Sequence, residues 1–461
     1  MINVLLTELA KVTQGEIFGE DVVVNQICTD SRSITANCAY LALVGDKFDG
    51  HTFCQQVVEK GVKILIVNQP QTNLAEHVSQ LVVKDTLIAL GQIAALNKQK
   101  ANVKTVAITG SCGKTTVKEM LAAICRTAGK TLATKGNFNN HIGVPLTLLN
   151  LEESDEFAII EMGASQAGDI AYTVNLATPD VAMVNNVAAA HLEGFGSLMG
   201  VALAKGEIYQ GLSSSGIAVV NMDCDYVETW QQDLDNLKQI GFSSEPFADL
   251  YYSDLVLNQN LCPEFKWHYR GQSYSVTLNI AGEHNAQNAL AAIACAIALG
   301  ISAENINLGL SQAETAAGRV SIKKPNANLT VIDDSYNANL SSMKSAIELV
   351  SKAEGTRIFV MGDIGELGQE SQAIHSEIGE FVAQNKIDKF YTKGQMSRFA
   401  QAKAENHFAS FDALIEQILI DINTAVEADQ NAKLTVLVKG SRSQKMENVV
   451  NALVQSNEEK V

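Results

Sequence analysis

Thr105-Val106-Ala107-Ile108-Thr109-Gly110-Ser111-Cys112-Gly113-Lys114-Thr115-Thr116 is the stretch on which the reading of this 461-residue chain turns. An apolar, β-type run breaks into two glycines and then Lys-Thr-Thr, and a helical pattern continues from Val117 to Ala128. Such an order offers consecutive backbone N–H groups, a helix N-terminus and one ammonium to a polyphosphate. The Thr115 hydroxyl falls where the Mg²⁺ that accompanies a nucleotide takes a ligand. The motif is the shorter Gly-x-x-Gly-Lys-Thr form, with Ile108 where the full phosphate loop has a further glycine. A bare match arises by chance in roughly a few per cent of chains this long, and the flanking strand and helix narrow the choice. ATP or GTP is expected on Gly110, Ser111, Cys112, Gly113, Lys114, Thr115 and Thr116, the alternative being an ordinary strand-to-helix turn.

Composition bounds the rest. A chain of this length exceeds what one core organises, so two or three domains are expected. Hydrophobic content of 46% with six prolines describes a packed protein without low-complexity segments. The net charge of −17, with no basic patch, argues against a nucleic-acid partner but leaves room for anionic small substrates. Eight cysteines without C-x-x-C or zinc-type spacing read as reduced thiols, and Cys112 stands out for its place in the phosphate loop. The N-terminus lacks the basic and apolar regions of a signal peptide. The longest apolar stretch, Ala289 to Leu299, is far shorter than the ~20 residues of a membrane span. A cytoplasmic protein is expected, with monomer as the default because no self-complementary feature is evident.

The chain divides into three parts. Residues 1–83 read as a small α/β module, with its clearest strand at Val62–Val67 and a turn-rich segment from Gly45 to His51. Residues 84–316 open on a helical stretch from Asp85 to Lys98 and then alternate strand and helix. Strands are expected there at Val103–Thr109, Phe157–Glu161, Val181–Asn186 and Ile217–Asn221, the pattern of a mostly parallel sheet. A two-strand pattern, Phe265–Tyr269 and Ser273–Ile280, precedes a helix from Asn285 to Leu299. Residues 317–461 repeat the alternation, with strands at Leu329–Ile332, Arg357–Met361, Lys389–Thr392 and Leu434–Lys439, as in a second, doubly wound sheet.

Strand ends carry the chemistry of open α/β sheets. Glu161 ends its strand beside the expected phosphate site and is either a Mg²⁺ carboxylate or an ordinary acid at a loop start. His191 sits in a loop where a lone histidine is more often structural, and Lys205 has the setting of a solvated helix residue. Gly136-Asn137-Phe138-Asn139-Asn140 is a turn or a ligand-reading loop. Asp333-Asp334-Ser335-Tyr336-Asn337-Ala338-Asn339, at the carboxyl edge of the third sheet, makes a strong site candidate. Gly362, Gly365 and Gly368 follow a strand, but their G-x-x-G-x-x-G spacing excludes a dinucleotide fingerprint.

In order along the chain, four further elements accompany the phosphate loop: Thr29-Asp30-Ser31-Arg32 with Gly45 to His51; Glu161-Met162-Gly163-Ala164 with Asn185 to Gly196; Asp333 to Asn339 with Gly362 to Gly368; and Lys439-Gly440-Ser441-Arg442. Together they resemble the Mur ligase family, ATP-dependent enzymes that extend the peptide stem of the peptidoglycan precursor. The resemblance runs from about Thr29 to Val449. It implies an α/β fold of three domains: a small UDP-sugar-binding module, a central P-loop ATPase-like sheet, and a Rossmann-like third domain that closes on ATP and binds the incoming dipeptide. On this likeness Lys114, Glu161, His191 and Lys205 are catalytic, with two Mg²⁺ on Thr115, Glu161, His191 and a carbamylated Lys205. Asn285, Asn288, Arg319 and Asp334 join the phosphate loop around ATP. Thr29, Ser31, Arg32, Asp46, Asp49 and His51 face the UDP-sugar, and Asn137, Asn139, Asn140, Tyr336 and Asn337 the rest of the substrate. The sequence departs from the family pattern at Leu340, usually proline, and at Gln166-Ala167.

The implied reaction joins D-alanyl-D-alanine to the UDP-MurNAc-tripeptide through an acyl phosphate, with closure near Ala316–Gly318. A sister ligase that adds the third stem residue carries an Asp-Asn-Pro-Arg signature, which does not occur after Gly318. A catalytically silent nucleotide-gated interaction protein is the alternative from another class.

Overall fold

A computed structural model of the chain describes residues 1–45, 47–72, 74, 75, 77–189 and 192–457, the side chains of Leu192 and Glu193 apart. Its three principal sheets follow one another along the sequence, confirming the expected α/β class.

The first sheet has five strands in the order Glu16–Phe18, Ser79–Val82, Ile64–Val67, Ala39–Leu41, Ile27–Cys28, all parallel except the first pair. The second has nine, in the order Thr131–Ala133, Phe157–Glu161, Lys104–Thr109, Val181–Val184, Ile217–Asn221, Lys238–Ser243, Leu250–Leu257, Pro263–Tyr269, Gln272–Thr277. Its first seven strands are parallel and the last two turn back antiparallel. The third has six, in the order Ser321–Lys323, Leu329–Asp334, Leu434–Lys439, Thr356–Gly362, Lys389–Lys393, His407–Phe408, parallel but for its first pair.

Period-two alternation divides each strand between two cores. In the second sheet, Ala107, Ala158, Ile160, Ala182 and Val184 face one apolar cluster, and Val106, Ile108, Ile159, Val181 and Met183 face the other. The second cluster is closed by the alanine-rich helix His284–Ala298, whose small side chains let it lie close against the helix Lys114–Arg126. The first cluster continues without a break into the N-terminal residues, through Ile2, Val4, Leu6, Leu9, Leu41 and Leu81. A backbone link reinforces this, as the Ile2 N–H donates to Asn97 Oδ1 at 2.9 Å in the helix Thr86–Ala101.

In the second sheet three strands escaped the sequence reading, the short edge strand Thr131–Ala133 and two others. Lys238–Ser243 begins on exposed polar residues and contains Gly241. Leu250–Leu257 is interrupted by a register shift between Ser253 and Val256, which breaks the alternation that marks a strand. The phosphate-loop helix starts at Lys114, three residues before Val117, because the loop's own Lys-Thr-Thr forms its first turn.

Candidate functional site

The phosphate-loop strand lies between Phe157–Glu161 on one side and Val181–Val184 on the other, the point where strand order reverses and where open α/β sheets place their ligands. Gly113 takes φ +75°, and a Cβ there would come within 2.4 Å of Asn288 Oδ1 and 2.6 Å of Asn185 Nδ2, so glycine is required. The loop is clamped by the residues that follow the neighbouring strand. Asn186 Oδ1 accepts from the Cys112 N–H at 2.8 Å, and Asn185 and Asn186 both donate to the Cys112 carbonyl. The Ser111 hydroxyl bonds Ala188 O at 3.0 Å. Asn185 also donates to Asn288, which donates in turn to Asn285, so the two asparagines read as nucleotide residues belong to the loop's own network. Asn185 and Asn186 were absent from the expected site, and the available signal was their place directly after a buried strand.

Lys114 bends back to donate to Gly110 O at 2.6 Å, and burial lowers the pKa of its ammonium. Thr115 Oγ1 donates to Glu161 Oε2 at 2.8 Å, and Asn139 Nδ2 donates to the other carboxylate oxygen at 2.8 Å. Glu161 is buried, and its N–H is held by Thr134 Oγ1, whose own carbonyl takes the ammonium of the buried Lys118. Lys205 is not a solvated residue. It is 3% exposed, and burial first, then the Lys114 charge, pushes its amine down to about 7. His191 lies outside the described residues, as does Asp46. Among the described residues no cluster of three or more His, Cys, Asp or Glu side chains has metal-holding geometry.

A cleft of about 580 Å³ separates the phosphate loop from the carboxyl edge of the third sheet. One wall carries Ser111 to Thr116, Asn285 and Asn288; the other carries Arg319, Asp334, Tyr336, Asn337, Lys439 and Arg442. Lys439 Nζ donates to Asp334 at 2.5 Å and to Asn337 O at 3.0 Å, fixing the end of the strand Leu329–Asp334. The Arg319 guanidinium stacks 4.3 Å from the Tyr336 ring, with that of Arg442 5.8 Å away. Lys439, Ser441 and Arg442 were read only as family markers, yet they line the cleft, and the Ser441 hydroxyl accepts from the Gly365 N–H at 2.7 Å.

The N-terminal candidates stand apart from this cleft. Thr29 and Ser31 are half-buried, and Arg32 is exposed in a bidentate grip on Asp30. His51, expected at the UDP-sugar end, lies in the turn Gly50–Phe53. It is buried, its Nδ1 pairs with Asp49 Oδ1 at 2.6 Å, and its Nε2 accepts from the Asn68 N–H, so both nitrogens are engaged within the fold. Asn140 Oδ1 accepts from the N–H groups of Ile142 and Gly143, just ahead of the short helix Gly143–Leu148. Asn137 and Asn337 are exposed.

A phosphate loop backed by a carboxylate and faced by the cationic edge of a second α/β sheet defines a nucleotide-handling protein whose site is completed by two domains. Comparison with known proteins narrows this class. The Mur ligase middle domain matches residues 108–296, the Mur ligase glutamate ligase domain residues 318–442, and the Mur ligase family catalytic domain residues 23–123. The UDP-N-acetylmuramoyl-tripeptide–D-alanyl-D-alanine ligase of Escherichia coli (strain K12) is 41% identical over 98% of this chain and 99% of the relative. The enzyme of the same name from Bacillus subtilis (strain 168) is 33% identical over 99% of each. Crystal structure I of MurF from Acinetobacter baumannii superposes with a TM-score of 0.92 at 36% identity, covering 99% of each chain. The chain belongs to the Mur ligase family.

Proposed function

We propose that this protein is an ATP-dependent ligase that joins D-alanyl-D-alanine to the carboxyl end of UDP-MurNAc-tripeptide, releasing ADP and phosphate. The observation that carries the reading is the Thr115–Glu161 contact beneath the phosphate loop, in a chain alike from end to end to ligases of that name.

The tripeptide carboxylate attacks the γ-phosphorus of ATP and ADP leaves. The dipeptide amine then attacks the acyl-phosphate carbonyl, phosphate departs, and the amide forms with loss of a proton. The protein's part is positioning and charge neutralisation. The N–H groups of residues 113–116 and the Lys114 ammonium would hold the phosphates, while Arg319 and the Lys439–Asp334 pair approach from the third domain. Asn285 and Asn288, on the phosphate-loop wall of the cleft, would face the adenine, and Thr29, Ser31 and Arg32 would serve the UDP-sugar end.

The donor set suits Mg²⁺, which prefers a hydroxyl, one or two carboxylates and phosphate oxygens. Thr115 and Glu161 would hold it, joined by His191, and there it would offset charge on the transferring phosphoryl. Lys205 as a bare ammonium cannot contribute. Its buried amine, pushed down to about 7 and so neutral in about half the molecules at pH 7, is suited to add carbon dioxide, forming an N–C bond and releasing one proton to give a carbamate anion. Eight free cysteines fit work in the reducing cytoplasm.

Phosphate release with ATP, Mg²⁺ and UDP-MurNAc-tripeptide tests the reading. Release dependent on D-alanyl-D-alanine, with a pentapeptide product, is the expected outcome. Release only with a single amino acid on a dipeptide precursor would assign the chain to the sister ligase instead.

A further inference from the structure

Cys112 is held from two domains at once. Its backbone is clamped by Asn185 and Asn186 of the second sheet, while its thiol meets Asn339, 227 residues away, beyond the third sheet's strand end. Asn339 Nδ2 donates to Cys112 Sγ at 2.9 Å, and the thiol lies 3.3 Å from Asn339 Oδ1. Asn339 is also the N-cap of the helix Leu340–Ser351. Its Oδ1 accepts from the Ser342 N–H, and the Ser342 hydroxyl accepts from its own N–H. The side-chain oxygen therefore serves both the helix and the thiol, and the amide N–H₂ serves the phosphate loop. Other bonds between the two domains, Lys352 with Glu283 and Lys324 with Asn260, lie at the exposed rim, where solvent weakens them.

We propose that Asn339 is a positioning residue, acting through Cys112 to couple the seating of the third domain to the shape of the phosphate loop. The inference rests on the reading that this loop holds nucleotide phosphates. Seating the third domain places the amide on the thiol and fixes a loop side chain that the second sheet leaves unclamped. Binding of phosphates, which needs the loop N–H groups aligned, then favours the seated third domain by the same coupling.

The test separates latch from cap. Asn339→Ser keeps an N-cap hydroxyl but is too short to reach the thiol. Cys112→Ala removes the acceptor, and Cys112→Ser restores a hydrogen-bonding atom. Titration calorimetry of the full chain with AMP-PNP and Mg²⁺ gives affinities without turnover. Asn339→Ser and Cys112→Ala should each weaken binding about threefold to tenfold, the worth of one hydrogen bond. The double variant should be no weaker than either single one, Cys112→Ser should stay near the parent, and the unfolding midpoint should not move. Losses that multiply in the double variant, or unchanged affinity in both single variants, would overturn the latch. A parent protein that binds AMP-PNP without dipeptide-dependent phosphate release would refute the ligase reading and leave the latch standing. A parent that does not bind AMP-PNP would remove the basis of both.

Discussion

Glu161 is the residue on which the proposed chemistry depends, and its surroundings are built inward from it. Thr115 and Asn139 each take one carboxylate oxygen, Thr134 takes its N–H, and Lys118 steadies Thr134 from behind. Replacing Glu161 by Gln keeps shape and removes charge, so kcat should fall roughly 10²- to 10³-fold while the fold is retained. Steady-state phosphate release, set beside far-ultraviolet circular dichroism, checks both halves. The proposed carbamylation of Lys205 gives a pH signature. Only the neutral amine adds carbon dioxide, and with the amine pushed down to about 7 the neutral fraction declines as pH falls below that value. Activity in carbon-dioxide-depleted buffer should therefore drop on the acid side and be restored by bicarbonate, and Lys205→Ala should show no bicarbonate response. Glu161 and Lys114 were legible because a strand end and a glycine loop are local signals. The state of Lys205 was not, since nothing in Ala204-Lys205-Gly206 reveals that the helix Leu198–Gln210 buries that face.

Among the elements, the loop after the strand Thr356–Gly362 shows how the third domain shapes its edge of the cleft. The wholly buried His375, on the helix Ser371–Gln384, accepts from the Ile364 N–H at 3.1 Å through Nε2 and pairs with Ser371 O through Nδ1. Burial lowers its pKa, so the unfolded chain takes a proton more readily than the folded one. Stability from this group is then complete above the unfolded value of about 6.5 and declines as pH falls through it. A denaturation series from pH 8 to 5 should show that decline, and His375→Gln should lessen it, His284 and His407, also pushed down by burial, carrying the remainder. Sequence spacing had only excluded a dinucleotide site for these glycines; the histidine that orders them lies on another element, which local pattern does not reveal. Leu340, by contrast, departs from the family pattern without geometric consequence, for it occupies the first helical position, the one that proline also fills.

For the whole molecule, the proposed closure turns on the join between second and third sheets. Gly318 sits there at φ +73°, its carbonyl accepting the Tyr336 N–H, and a Cβ would lie 3.0 Å from that nitrogen. Gly318→Ala should cost about 1 kcal/mol or more in denaturant unfolding, because alanine resists positive φ. Small-angle scattering of the parent protein should show compaction when ATP analogue and tripeptide substrate are both present, and its absence would count against closure on the nucleotide.

The apolar cluster that runs from Ile2 into the second sheet has a thermal consequence as well. Two units sharing one interior lose it together, whereas the third sheet lies between clusters drawn largely from its own residues. Scanning calorimetry of the ligand-free chain should then resolve two endotherms, a large one from the first two sheets and a smaller one from the third. A ligand spanning the cleft should draw them into one, making heat absorption a direct meter of how firmly the domains are joined.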